Sequence, residues 1–90
     1  MVSKKLTVVN KSGIHARPAG VLVKAVEGCT SEVTILTNGR TIQAKSILKI
    51  MSAGLTKGTE FELCCNGENE EADLEKLAAL IESGLGEEVE

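Results

Sequence analysis

Asn38-Gly39 constrains this chain more than any other pair of residues in it. Both positions accept the positive φ of a two-residue hairpin turn, and the flanking runs, Glu32-Val-Thr-Ile-Leu36 and Thr41-Ile-Gln-Ala44, are β-rich. An antiparallel strand pair in the middle of the chain follows, and the remaining elements must be arranged around it. Glu60-Phe-Glu-Leu-Cys-Cys-Asn66 alternates, with Phe61, Leu63 and Cys65 on one side and Glu60, Glu62 and Cys64 on the other. Leu6-Thr-Val-Val-Asn10 is a fourth β-rich run, closed by the Asn10–Gly13 turn cluster. Strands with one apolar and one polar side belong to an antiparallel sheet that shows one face to water.

Between the strands the period changes. Ala19, Leu22, Val23 and Val26 fall at i, i+3, i+4 and i+7, which predicts a helix ending near Gly28. Pro18, the single proline, fits only the first turn, where N–H groups lack intrahelical acceptors, so this helix begins close to residue 15 or 16. Ser46 is a good N-cap for a short helix through Ile47, Leu48, Ile50 and Met51, with a stop at Gly54. Four apolar side chains in five residues cannot all face inward, so part of this helix must expose apolar surface. Asn69 is placed to cap a last helix, with Glu70, Glu71 and Asp73 near its positive end. Leu74, Leu77, Ala78 and Ile81 form the buried stripe of that helix, Gly84 closes it, and residues 86–90 read as a loose tail. The order βαββαβα describes one α+β domain over residues 1–90, a four-stranded antiparallel sheet with three helices burying one face.

Composition narrows the function. Phe61 is the only aromatic, so the chain lacks the stacking platforms of a single-strand nucleic-acid binder. No apolar run approaches the ~20 residues of a membrane span, and Met1-Val-Ser-Lys-Lys lacks the apolar stretch of a signal peptide. The expectation is a cytoplasmic protein that neither inserts into a membrane nor binds nucleic acid. Cys29, Cys64 and Cys65 show no CxxC spacing and have only one histidine to accompany them, so no metal site is expected and the thiols read as free. Charge is segregated: residues 1–57 carry nine basic and two acidic side chains, residues 58–90 one basic and eleven acidic. Such polarity suits either a charged partner or a solvated acidic helix.

His15, the only histidine, stands at the mouth of the first helix with Arg17 two residues on. A helix N-terminus offers N–H groups and positive potential to anions, phosphate above all. Imidazole is a nucleophile without an activating base, Arg17 could hold phosphoryl oxygens, and Gly13 would let backbone approach closely. The residues alone leave two readings open, a phosphoacceptor and a plain helix cap. There is no glycine-rich nucleotide loop, no acidic cluster with Mg²⁺ spacing and no base paired with His15, so the chemistry would be that of a carrier without cofactor.

Gly13-Ile-His-Ala-Arg-Pro-Ala19 resembles the active-site signature of HPr, the histidine-containing phosphocarrier family of the bacterial sugar phosphotransferase system. Lys45-Ser-Ile-Leu-Lys-Ile-Met-Ser52, followed by Gly54 and Gly58, resembles the regulatory signature of the same family. The resemblance implies an open-faced β-sandwich in which His15 takes a phosphoryl group on Nδ1 from Enzyme I and passes it to sugar-specific EIIA domains. It makes Arg17 the phosphate stabiliser, with Gly13, Ala16 and Pro18 in support. Ser46 would be the target of an HPr kinase/phosphorylase, and the Ser46-phosphorylated form a corepressor for a catabolite control repressor. Ile47, Leu48 and Met51, with Lys24, Lys45 and Lys49, would form the docking surface of a monomer. Two alternatives share the fold: a purely regulatory paralogue, whose type lacks the histidine, and a nitrogen-branch carrier. Cys29, where an aromatic is common, and Gln43, where Asn is common, depart from the family pattern; Cys29 implies altered packing below the first helix-to-strand loop.

Overall fold

The computed structural model describes residues 1–86. Its elements run β1 (Val2–Thr7), α1 (Ala16–Glu27), β2 (Glu32–Thr37), β3 (Arg40–Gln43), α2 (Ile47–Met51), β4 (Glu60–Asn66) and α3 (Glu70–Glu82). The strands form one antiparallel sheet in the order β1-β4-β2-β3. Asn38 and Gly39 adopt φ of 51° and 74°, as a two-residue hairpin turn demands, and Thr37 pairs with Arg40 across it. Of the expected tail, Gly86 is the last described residue and residues 87–90 lie outside the description.

One sheet face carries Leu6, Val33, Ile35, Ile42, Leu63 and Cys65 into a single core with Leu22 and Val26 of α1, Ile50 of α2, and Leu77 and Ile81 of α3. Leu74 is half-buried at the margin of that core. The other face is crossed by two rows in register, Lys5–Glu62–Leu36–Thr41 and Ser3–Cys64–Thr34–Gln43. Cys64 is buried on this open face because β4 is a central strand, flanked by Ser3 and Thr34. A groove of about 400 Å³ lies beside the hairpin, lined by Lys5, Leu36, Arg40 and Glu62 among others, and takes no residue from the His15 loop or from α2.

β1 starts at Val2, four residues before the Leu6 start that the sequence suggests, and ends at Thr7. Ser3-Lys4-Lys5 does not look strand-like in isolation, yet lysines suit an edge strand, where they discourage pairing with another chain. Pairing continues past the strand end through Val8 N–H to Thr59 O at 3.0 Å and Gly58 N–H to Val8 O at 2.9 Å.

α2, with five residues, is too short to stand alone. Ile50 is fully buried and anchors it, worth ~1.5–3 kcal/mol by burial alone. Ser46 Oγ accepts from Lys49 N at 3.2 Å, the cap the sequence implies, worth about 1 kcal/mol.

Asn69 occupies the N-cap position of α3, but its side chain does not cap. Its amide donates instead to Thr30 Oγ1 at 3.2 Å, with backbone φ and ψ of −105° and 29° in place of the extended cap conformation. Neighbouring carboxylates take over at that end. Glu70 accepts from Gly67 N at 3.2 Å and pairs with the Met1 amine at 3.0 Å, while Asp73 accepts from Ser31 N at 3.1 Å and Ser31 Oγ at 2.6 Å. The far end of α3 closes through Gly84, whose φ of 93° lets Gly84 N reach Ile81 O and Leu85 N reach Leu80 O.

Candidate functional site

α1 begins where Pro18 dictates. Ala16 is the first helical residue, so Pro18 sits third and removes a donor that had no intrahelical acceptor. Ala19 N–H to His15 O, 3.0 Å, is the first full helical bond. Ala16 and Arg17 therefore supply the amides that remain at this end, and the first turn contains no acid. His15 holds the N-cap position in extended conformation (φ −95°, ψ −162°), but its ring makes no capping hydrogen bond. The plain helix-cap reading of that side chain therefore loses its support. His15, Ala16 and Arg17 are exposed, while Pro18 and Ala19 are buried beneath them.

The approach to His15 is tightly fitted. Gly13 has φ +74°, and a Cβ there would lie 2.8 Å from Leu55 O and 3.1 Å from Thr56 Cα, so no other residue fits without backbone movement. Ile14, buried, donates its N–H to Leu55 O at 2.8 Å. Leu55, absent from the sequence-level candidates, thus links the His15 loop to the segment after α2. Nothing in residue type announces this role, because the group at work is a backbone carbonyl.

α2 packs against α1. Its single turn leaves Leu48 79% exposed and Ile47 and Met51 about half that, which is the surface the sequence requires of it. Lys24, Lys45 and Lys49 are exposed, and Ser46 is half-buried at the cap. Placed together, then, are His15 with Arg17 on one helix start, and Ile47, Leu48 and Met51 on the neighbouring helix.

The cysteines stand apart from this surface. Cys29 is half-buried against the core and donates to Ala25 O at 3.4 Å; burial first, then the Asp73 charge, raises its thiol above the ordinary value. Burial also pushes Cys64 up, and Cys65 to about 11. All three are free thiols held protonated. Among the described residues, no group of three or more His, Cys, Asp or Glu is arranged to hold a metal ion, and no helix is long and apolar enough to cross a membrane.

The class so defined is an open-faced α+β sandwich with a solvent-facing histidine and arginine at an acid-free helix start. The chain belongs to the HPr family of the phosphotransferase system: the family model described as "PTS HPr component phosphorylation site" matches residues 2–83. The phosphocarrier protein HPr of Haemophilus influenzae is 37% identical over 81 residues, covering 90% of this chain and 95% of that protein. The HPr-like protein Crh of Bacillus subtilis is 42% identical over 82 residues, covering 91% and 96%. Among solved structures, HPr-C-His from Thermoanaerobacter tengcongensis superposes with a TM-score of 0.92 at 36% identity, over 99% of this chain and 100% of that one.

Proposed function

We propose that this chain carries phosphoryl groups on His15 between Enzyme I and sugar-specific EIIA domains. The observation that carries the reading is the start of α1: an exposed N-cap histidine whose ring does not cap, beside Arg17, in a first turn free of acid. The lone pair on His15 Nδ1 attacks phosphorus as the P–N bond to the Enzyme I phosphohistidine breaks. The Ala16 and Arg17 amides and the Arg17 guanidinium meet the phosphoryl oxygens. Transfer onward reverses these roles, with an EIIA nucleophile attacking and the His15 nitrogen leaving. No water or second substrate is consumed, so the chain carries the group and turns nothing over alone.

Docking falls to Ile47, Leu48 and Met51, which are exposed on α2, together with the exposed Lys24, Lys45 and Lys49, whose charge favours acidic partners. Ser46 caps that helix. A phosphate placed there by an HPr kinase/phosphorylase adds about −2 charge at a helix N-terminus. The short helix tolerates this, while docking against an acidic partner is opposed.

Incubation with phosphoenolpyruvate and Enzyme I, followed by intact-mass measurement, tests the reading. An acid-labile phosphoryl adduct on wild type, absent from His15→Ala, is expected. No adduct on wild type, or one that persists in His15→Ala, defeats it. The 42% identity to Crh brings a second reading, regulation alone through phosphorylated Ser46. The two part on whether a phosphorylated chain discharges to an EIIA domain.

A further inference from the structure

Asn10 is 1% exposed and stands just ahead of the loop that ends in His15. Its Nδ2 donates to Gly84 O at 2.7 Å, a bond spanning 74 positions of sequence. Gly84 opens the turn that closes α3, a succession of positive φ at Gly84, Leu85 and Gly86. Leu85 is fully buried, so this turn is seated in the core and its carbonyl is a fixed acceptor. The backbone of Asn10 holds the other side of the joint: its carbonyl accepts from Gly13 N at 3.0 Å. Gly13 passes so close to Leu55 that a Cβ on it would lie 2.8 Å from Leu55 O, and Ile14 N–H is bonded to that same oxygen at 2.8 Å. The loop is thus tied at one end to the last turn of α3 and at the other to the segment behind α2. His15 is the next residue after the second tie.

We propose that Asn10 is a positioning residue for phosphoryl transfer at His15, and that the closing turn of α3 belongs to the framework of the site. The proposal rests on the carrier reading. The side-chain amide sets where the loop starts, the Gly13 and Ile14 bonds transmit that placement, and the imidazole inherits it. Loss of the Nδ2 donor leaves Gly84 O facing a group that cannot bond it, and the loop start shifts. Displacement of a reacting atom by ~1 Å is enough to slow a reaction about 10²-fold.

Asn10→Asp tests this, because it keeps the shape and turns the donor into an acceptor. Three measurements are made on it and on wild type well below both melting temperatures: transfer from phospho-Enzyme I at increasing carrier concentration, ¹H–¹⁵N spectra of the His15 ring and backbone, and thermal melting. The expected result is a maximal transfer rate lowered about tenfold or more, with half-saturation changed less than twofold since Ile47, Leu48 and Met51 are untouched. The His15 ring and the Gly13 and Ile14 amides should shift while α2 resonances stay in place. A folded variant with the wild-type maximal rate, or with unmoved His15 ring signals, overturns the proposal. So does a loss confined to half-saturation. If Asn10→Asp does not fold, Asn10→Ser, which admits a bridging water, carries the same measurements and criteria. Absence of any transfer to wild type defeats the carrier reading separately, and the ring spectra then still decide whether Asn10 places His15.

Discussion

The two long helices begin in opposite ways. α3 has Glu70, Glu71 and Asp73 in its first turn, of which Glu70 collects the Met1 amine and the Gly67 amide, and Asp73 holds Ser31. α1 has no acid in its first turn, no side-chain cap, and Arg17 in its place. Each helix start carries the equivalent of roughly half a positive charge. In α3 the fold neutralises that potential with its own side chains. In α1 it is left facing solvent, where an incoming phosphoryl group can use it. Identical backbone physics thus serves stability at one end of the molecule and, under the carrier reading, chemistry at the other.

Making α1 resemble α3 should have the largest effect. Arg17→Glu puts a carboxylate in the first turn and is expected to slow transfer from phospho-Enzyme I about 10²-fold, read by rapid quench. A near-wild-type rate would erase the functional half of the contrast. Ser46→Asp sharpens it at the shorter helix: transfer should fall about tenfold with little change in thermal stability, because the new charge suits a helix start and opposes an acidic partner. Equal transfer by mutant and wild type would remove the case for Ser46 control.

Asp73→Asn addresses the α3 side. The Ser31 hydroxyl, ahead of other contributions, holds the Asp73 carboxyl below its ordinary 3.8. A lowered native value means that the unfolded chain binds more protons as pH falls. The stabilisation is therefore complete above 3.8 and is lost on descending through the native value. Melting of Asp73→Asn at pH 7 should fall below wild type, and the gap should close in acid below that range. A gap independent of pH would break the assignment. The smallest effects compare the two caps directly. Ser46→Ala should cost about 1 kcal/mol in chemical denaturation, and His15→Ala less than about 0.5 kcal/mol. Equal losses would show that His15 is a cap after all.

Much of this was readable from residue order, and the failures share a cause. The Asn38-Gly39 turn, the start of α1 at Pro18 and the exposed α2 face are local matters of backbone preference and side-chain period. The start of β1 is not legible locally, because Ser3-Lys4-Lys5 becomes a strand only by pairing with β4, some sixty positions away in sequence. Asn69 looks like a cap in sequence because the competing acceptor, Thr30, is distant along the chain. At the site, His15, Arg17 and the α2 patch were legible by residue type. Leu55 and Gly84 were not, since each contributes a carbonyl, which every residue possesses.

The sheet order has a consequence for how the protein is made. Among the described strands β4 is the last to be synthesised, and it lies between β1 and β2. Until residues 60–66 have left the ribosome, β1 has no neighbour and the only strand pairing available is the β2–β3 hairpin, which is marginal by itself. A nascent chain halted before Glu60 would hold nearly all of the candidate site in sequence and none of it in place. The pairing of β1 with the rest of the sheet therefore waits for β4, which enters between two strands that have already been made.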